Sequence, residues 1–242
     1  MDILITDLTR MGSDSVCIAG VNYDFATIRP EFAYGGIDEI HLFRDSKAII
    51  HPRAVVDLQV QPKRANTPPH LEDHLWTDTE KTKLLRITTD ERWRRALERT
   101  TFPSVEAIFE TELLHSNKNI EPGTGVRSLG TIKPKSIELF LFKTLERDGM
   151  ERPDWRLFFT DAAGNVFEHI KINDLGLQCY TFYLSKEKSV KQINAKLNGI
   201  FKNADVLLRI GVTRPYEGWC WLQVTGIYTF PDYLKGKCFA DF

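Results

Sequence analysis

The sequence is poor in cysteine, and its few cysteines do not form pairs. Its 242 residues include Cys17, Cys179, Cys220 and Cys238, and no two of these have the C-x-x-C spacing of a zinc or redox site. A chain of this length can bury a substantial core without disulfide bonds. We therefore expect reduced thiols and a cytoplasmic protein.

Long hydrophobic runs are also missing. No stretch approaches the roughly 18 consecutive apolar residues of a membrane-spanning helix. The opening MDILITDLTR has neither a basic start nor a long apolar core, so we expect no signal peptide and no membrane association.

A large charge of either sign is lacking, since the net charge is −1. The two halves differ, however, with −5 over residues 1–125 and +4 over residues 126–242. The basic second half is compatible with an anionic partner, although strong nucleic-acid binders often carry a far larger basic excess.

Short β-branched stretches dominate both ends of the chain. They include ILITDLTR, SVCIAGVNY and ATIRPEF near the start, and KSIELFLFKTL, WRLFFT and GWCWLQVTGIYTF in the second half. The spacing of apolar residues predicts helices over residues 78–115, and SVKQINAKLNGIF predicts one helix within the second half. The predicted fold class is mainly β with a helical insertion, built from small barrels or sandwiches.

Several of these stretches occur in an order that resembles a known family. The order ILITDLTR, VCIAG, IRP and PPHLED, followed by WRLFFTDAAGNVFEHIKIND and IGVTRPYEGWCWLQVTGIY, is similar to the dual OB-containing domain family. The resemblance covers most of the chain. It implies two small OB-like β-barrels, and we assign residues 1–77 to the first, 78–125 to a helical insert and linker, and 126–242 to the second.

The segment CIAGVNYDFATIRP raises two questions of chemistry. Cys17 could be a reactive thiol, but its place in the middle of a strand favours a small residue filling the inside of a barrel. Arg29 could contact a phosphate or a base, or it could pair with a neighbouring carboxylate. Structural pairing is the favoured interpretation for Arg29.

The segment HLEDHL invites a metal hypothesis. His70 and His74 would share one face of a helical turn, but the spacing is not His-Glu-x-x-His and no third ligand is identifiable. We favour a polar clamp between the first barrel and the helical insert, with Glu72 or Asp73 as the partner of a core arginine. Neither a metal nor a cofactor is predicted.

Catalytic patterns are weak. GVRSLGT lacks the lysine of a phosphate-binding loop. Asp161, Glu168 and Lys171 lie near one another in the sequence, but Glu168 and Lys171 would face opposite sides of a strand. An enzyme is therefore not favoured.

Aromatic and basic residues together suggest a binding surface, because OB-fold barrels hold single strands by stacking bases above a basic groove. Trp219 and Trp221 are two residues apart and would share a face, although either could instead fill a barrel. The candidates are Arg29, Arg92, Arg95, Arg99, Lys133, Lys135, Trp155, Arg156, Arg214, Tyr216, Trp219 and Trp221. The three arginines at 92, 95 and 99 could equally form a solvated helix face.

The leading functional hypothesis is a non-enzymatic accessory protein that binds single-stranded DNA or RNA. The resemblance further implies a role in a prokaryotic anti-phage or conflict system. A protein-protein interaction scaffold of such a system is the alternative, and a metal-dependent nuclease is the third hypothesis.

Overall fold

The structure is a computed structural model, and it describes residues 1–12, 15–145 and 151–242. Strands account for most of the regular structure. No helix in the described ranges is both long enough and apolar enough to cross a membrane.

The first half of the chain forms a closed five-stranded barrel. β1 pairs with β2 and β7, β7 with β8, β8 with β3, and β3 with β2, which closes the ring. β3 and β8 run parallel, and the other pairs in the ring are antiparallel. The elements are β1 (Asp2–Arg10), β2 (Ser15–Val21), β3 (Thr27–Glu31), β4 (Ile37–Asp38), a 3-10 helix (Glu39–Leu42), β5 (Phe43–Arg44), β6 (Lys47–Ala48), β7 (Ala54–Pro62) and β8 (Asp73–Ile87).

The middle of the chain is less helical than the sequence predicts. It contains α1 (Asp90–Arg99), β9 (Thr101–Phe102), α2 (Val105–Phe109) and β10 (Asn119–Ile120). The prediction of helix over residues 78–87 is wrong, because β8 runs on to Ile87 and pairs with β7 there. The helical turn predicted for HLEDHLW is also wrong, since β8 already begins at Asp73.

The second half repeats the strand order of the first. Its elements are β11 (Leu129–Ile132), β12 (Ser136–Leu145), β13 (Glu151–Thr160), β14 (Val166–Ile172), α3 (Leu175–Ser185), α4 (Val190–Asn203), β15 (Asp205–Val212) and β16 (Cys220–Phe230). The sheet order is β12-β13-β14-β16-β15-β11, with β14 and β16 parallel. Only residues 133–135 separate β11 from β12, so these two strands act as one first strand broken at Pro134.

Both halves therefore have the order 1-2-3-5-4-1 of an OB-fold barrel, which confirms the predicted fold class. Two helices, rather than the single helix predicted, lie between the third and fourth strands of the second barrel. The sequence does not predict α3, because the apolar and aromatic residues of this helix are spread around it rather than along one stripe.

The two barrels pack through a face of β1 and β2 that points away from the first barrel's core. Leu8 and Ile18 point into that core, whereas Asp7 and Ala19 point outward. Asp7 forms a buried ion pair with Arg209 of β15, with Oδ2 2.8 Å from Nη2. The contact between the barrels thus contains a buried ion pair beside an apolar cluster in which Leu4 packs with Leu207 and Tyr228.

Candidate nucleic-acid interface

A network of charged side chains ties β3 and the start of β8 to the second barrel. Arg29 is 6% exposed, and its Nε donates to Asp73 Oδ1 over 2.7 Å. Asp73 Oδ2 also lies 2.6 Å from Nη2 of Arg214, which bridges to Glu31. Arg29 therefore has the structural pairing that the sequence analysis favoured, and its burial leaves little of it to contact a ligand.

Glu72 and His70 extend this network. Glu72 accepts hydrogen bonds from the Ser128 hydroxyl and, over 3.4 Å, from the Ser128 backbone N–H. His70 is 2% exposed, and its Nε2 lies 3.2 Å from the carbonyl oxygen of Thr213. Residues 70–73 form a polar clamp, but the predicted partner, the helical insert, is wrong. His70, Glu72 and Asp73 contact Thr213, Ser128 and Arg214, which lie in residues 126–242.

Burial and the neighbouring guanidinium groups of Arg29 and Arg214 lower the pKa of His70 to about 3. The ring is therefore neutral at pH 7, and its Nε2–H donates to Thr213. His74 lies apart from it in β8, where its ring contacts the carbonyl oxygen of Glu72. Among the described residues, no group of three or more His, Cys, Asp and Glu side chains is placed to hold a metal ion.

Cys17 lies on the opposite side of β2 from the one predicted. Val16 and Ile18 belong to the barrel core, so Cys17 points outward between them. It lines a cleft between the barrels with Arg29 and Arg214. The prediction that it fills the inside of the barrel is wrong, and burial raises the pKa of its thiol, which opposes reactivity.

Trp155 is a core residue. It is 3% exposed and lies in the hydrophobic core of the second barrel. Its neighbours on β13 alternate in direction, so Arg156 points outward where Trp155 points in. Trp155 therefore cannot stack on a ligand, and its selection as a binding residue is wrong.

The outer surface of β12, β13 and β14 carries a cluster of rings. Phe140 contacts Phe158 with ring centroids 4.9 Å apart, and Phe158 contacts His169 at 4.3 Å. Phe142 stacks beside Phe140 and is 42% exposed. We call this surface the aromatic face; it consists of Phe140, Phe142, Phe158 and His169.

A groove of about 640 Å3 adjoins the aromatic face at His169. Tyr216, which is 63% exposed, and Trp221 supply its rings. Its cationic residues are Lys118, Arg156 and Lys171, and its described lining includes no carboxylate. Asp154, which pairs with Arg156 over 2.9 Å, is the nearest acid on β13. We call this groove the strand groove.

The comparison with protein families agrees with this architecture. The model of the dual OB-containing domain matches residues 1–227 of the chain. The chain belongs to the dual OB-containing domain family. Searches of curated proteins and of solved structures found no significant match. OB-fold domains suggest nucleic-acid binding in general, and they bind through strands 2 and 3 and the loop between strands 4 and 5.

The strand groove occupies that position on the second barrel of this dual OB protein. Arg156 lies on the second strand and Lys171 on the third, which are β13 and β14. Tyr216 lies in the loop between the fourth and fifth strands, β15 and β16. The structure thus brings together three of the predicted binding residues, Arg156, Tyr216 and Trp221.

Other predicted residues lie outside the strand groove. Trp219 packs edge-on against His115 with centroids 4.5 Å apart, whereas Trp221 donates its Nε1–H to the carbonyl oxygen of Tyr216. The predicted platform of Trp219 and Trp221 is therefore not formed as a pair. Arg214, two residues before Tyr216, is held by Glu31 and Asp73.

Lys133 and Lys135 line a separate depression of about 680 Å3 at the break between β11 and β12. Lys133 pairs with Asp205, while Lys135 is exposed, and the carboxylates of Glu138 and Asp205 line the same depression. Phe158 lines this depression too, so it borders the aromatic face. The two lysines and the strand groove therefore lie along one continuous surface.

Arg92, Arg95 and Arg99 are exposed on α1 and line a different groove, on the first barrel. Asp161, which the sequence places near Glu168 and Lys171 in a weak catalytic pattern, is fully buried and accepts hydrogen bonds from the backbone of Val105 and Asn165. Asp161 thus stabilises a turn and an insert helix.

Lys118 and the rings of the aromatic face are not among the binding residues predicted from the sequence. Phe140 and Phe142 alternate with the core residues Leu139 and Leu141 in SIELFLFKTL. This alternation marks two apolar faces, of which a barrel can bury only one. That signal could have identified the aromatic face.

Proposed function

We propose that this protein is a cytoplasmic, non-enzymatic accessory protein that binds single-stranded DNA or RNA, within a prokaryotic anti-phage or conflict system. The observation that carries the proposal is the strand groove, where cations and rings meet on the second and third strands of an OB-fold barrel. Single-strand binding needs these two ingredients, a basic path for phosphates and rings for bases.

The rings can hold bases without reading their sequence. Stacking of a base on an aromatic side chain contributes about 1–3 kcal/mol and tolerates every base. Tyr216 of the groove and Phe142 of the aromatic face are exposed rings. A strand that stacks on both would cross β13 and β14 and pass the side chains of Arg156 and Lys171.

The proposed path continues along the aromatic face. His169 lines the strand groove, Phe158 lines the depression at Lys133 and Lys135, and these two rings are in contact. Phosphates of one strand could therefore meet Arg156 and Lys171 at one end of the path and Lys135 at the other, where Glu138 and the Lys133–Asp205 pair reduce the positive charge. Because the chain's net charge is only −1, this local arrangement rather than the overall charge has to supply the affinity.

Fluorescence anisotropy of labelled single-stranded DNA, RNA and duplex across a salt series tests the proposal. Single strands should bind more tightly than duplex. The logarithm of the binding constant should fall linearly with the logarithm of the salt concentration, and the gradient of this line is the salt slope. Lys171→Ala should reduce the salt slope by about 0.7, the value of one phosphate contact. Tyr216→Ala should weaken binding about fivefold or more through lost stacking.

Matched controls lie away from the path. Lys196 is exposed on α4, and Tyr34 is 93% exposed in the first half; neither lines the strand groove. Lys196→Ala and Tyr34→Ala should bind like the unaltered chain. Absence of binding at low salt by the pure protein would overturn the proposal, and cleavage of the oligonucleotide on addition of Mg2+ would favour the nuclease hypothesis instead.

A protein-binding scaffold remains the second candidate because of one surface feature. Phe182 and Tyr183 are 65% and 48% exposed on α3, and the C-terminal Phe242 lies against Tyr183. Exposed adjacent rings of this kind are common in protein interfaces. Absence of nucleic-acid binding, together with capture of a partner that Phe182→Ala abolishes, would favour this candidate.

A further inference from the structure

A second groove lies on the first barrel, between α1, the ends of β1 and β8, and the turn after β2. It has a volume of about 450 Å3. We infer that this groove binds a nucleoside phosphate through its terminal phosphate. Its lining includes Tyr23, Phe25, Arg86, Arg92, Arg95 and Arg99, together with the acid Asp2.

The four arginines lack the acidic partners that Arg53 and Arg94 have. Arg94, on the same helix, pairs with Glu98 and with Asp205, and Arg53 pairs with Asp90 and Asp232. In the part of the chain that the structure describes, no carboxylate forms an ion pair with any of the four groove arginines. Their guanidinium groups are therefore available to an external anion.

The spacing of these arginines concentrates positive charge on one face of α1. Arg92 and Arg95 are three residues apart, and Arg95 and Arg99 are four apart, so each pair of like charges faces the same side and opposes helix formation. A terminal phosphate carries a charge of about −2, against −1 for a phosphate inside a strand. Paired guanidinium forks suit its exposed oxygens, which is why we assign the groove to a terminal phosphate.

The turn after β2 completes the groove with two rings. The side chain of Asn22 accepts hydrogen bonds from the backbone of Asp24 and Ala26, each 3.0 Å long, and so fixes the turn. Within it Phe25 has φ +63°, a rare conformation for an aromatic residue, and its ring lies 5.4 Å from the guanidinium carbon of Arg99. Tyr23 is left 87% exposed, where it can stack on a base.

This groove shares no lining residue with the strand groove. The inference therefore does not depend on the proposed function, and either can fail without the other. A volume of 450 Å3 lies in the range of about 300–1,000 Å3 that small-molecule sites occupy.

Isothermal titration calorimetry with three probes, adenosine triphosphate, inorganic phosphate and adenosine, tests the inference. The triphosphate should bind, inorganic phosphate more weakly, and adenosine without detectable heat. Arg92→Ala/Arg95→Ala should weaken triphosphate binding by about tenfold or more for each charged hydrogen bond lost. Lys191→Ala/Lys196→Ala, which removes two exposed cations from α4, should bind normally and control for net charge.

Oligonucleotides with a 5′-phosphate and with a 5′-hydroxyl distinguish the two sources of the phosphate. Tighter binding of the 5′-phosphorylated strand, lost in Arg92→Ala/Arg95→Ala but kept in Lys171→Ala, would support capture of a strand end. Binding of adenosine triphosphate alone would support a free nucleotide. Equal affinity for both strands without triphosphate binding, or triphosphate binding unchanged in Arg92→Ala/Arg95→Ala, would overturn the inference. Thermal unfolding of each variant verifies that it is folded.

Discussion

At the scale of single residues, the most unusual group is a neutral histidine beside two arginines. His70 is buried near Arg29 and Arg214, and both guanidinium groups oppose its protonation. Its bond to the carbonyl oxygen of Thr213 needs only the neutral ring. The polar clamp between the barrels therefore contains a group that acid conditions would charge unfavourably.

This histidine should make the folded state sensitive to acid. The folded state protonates His70 only near pH 3 and the unfolded state near pH 6.5, so the unfolded state binds more protons between these values. The contribution of His70 is fully present above pH 6.5 and is lost as the pH falls. Between pH 7 and pH 5 the chain should lose about 2 kcal/mol of unfolding free energy from this group.

Urea denaturation of the unaltered chain and of His70→Gln at both pH values measures this loss. Burial raises the pKa of Asp174 to about 6, so the stability contributed by that carboxyl has the opposite pH dependence and falls as the pH rises through 6. Both chains contain Asp174, so their difference isolates His70. Parallel pH profiles for the two chains would contradict the prediction.

At the scale of elements, the alternation of apolar and polar residues predicts strands well where one face of the strand is buried. In β13, Trp155 and Leu157 enter the core while Arg156 points out, and the sequence pattern indicates this strand. The sequence predicts a helix at residues 78–87, inside β8, because TDTEKTKLLRI is rich in exposed polar residues and good helix formers. Pairing with β7 overrides that preference, and pairing partners are not visible in a single strand's sequence.

Barrel closure should depend on Gly20. A Cβ placed there would lie 2.5 Å from the carbonyl oxygen of Leu4 and 2.5 Å from Cγ2 of Ile3, across the β1–β2 pairing that closes the ring. Because the backbone oxygen cannot move cheaply, Gly20→Ala should lower the unfolding free energy by about 1–3 kcal/mol.

Gly199 provides the contrast for this substitution. It lies in α4 with open space around it, so Gly199→Ala should raise the unfolding free energy by about 0.5–1 kcal/mol. Urea denaturation of both variants makes the comparison. Equal effects of the two substitutions would show that Gly20 does not limit closure.

At the scale of the whole molecule, a buried ion pair holds the barrels together. Arg209 and Asp7 are 0% and 1% exposed, and the Thr225 hydroxyl also donates to Asp7. Residues 7 and 209 come from opposite ends of the chain. Removing one partner leaves a buried charge unpaired between the barrels.

Arg209→Met should therefore lower the unfolding free energy by about 3–5 kcal/mol, the typical cost of a broken buried pair. Asp7→Asn in the same chain should recover part of this loss, since the uncompensated charge is then gone. Chemical denaturation of the two single variants and of the double variant gives the coupling energy. Strictly additive losses would show that the pair does not act as a unit.

The candidate site is only partly predictable from the sequence, because its residues are far apart along the chain and only the fold brings them together. Arg156, Tyr216 and Trp221 were selected by residue type, and the fold brings them to one groove. Lys118 joins them from the segment before β10, and no local pattern links it to a strand groove. Conversely, Arg29 and Arg214 have the right chemistry for a ligand but are held by Asp73, a partner that only the tertiary structure reveals.

The packing of the barrels limits the valency of the protein. On the first barrel, Arg29 and Glu31 of the third strand bond to Ser128 and Arg214 of the second half, and Cys17 of the second strand lines the cleft between the barrels. The surface that corresponds to the strand groove is therefore used internally. Within the residues that the structure describes, the strand groove of the second barrel is therefore the one open surface of this type, and the first barrel does not offer an equivalent one. Binding of a long strand to several copies of the chain would consequently have one contact of this kind per copy, without avidity between the two barrels of a single molecule.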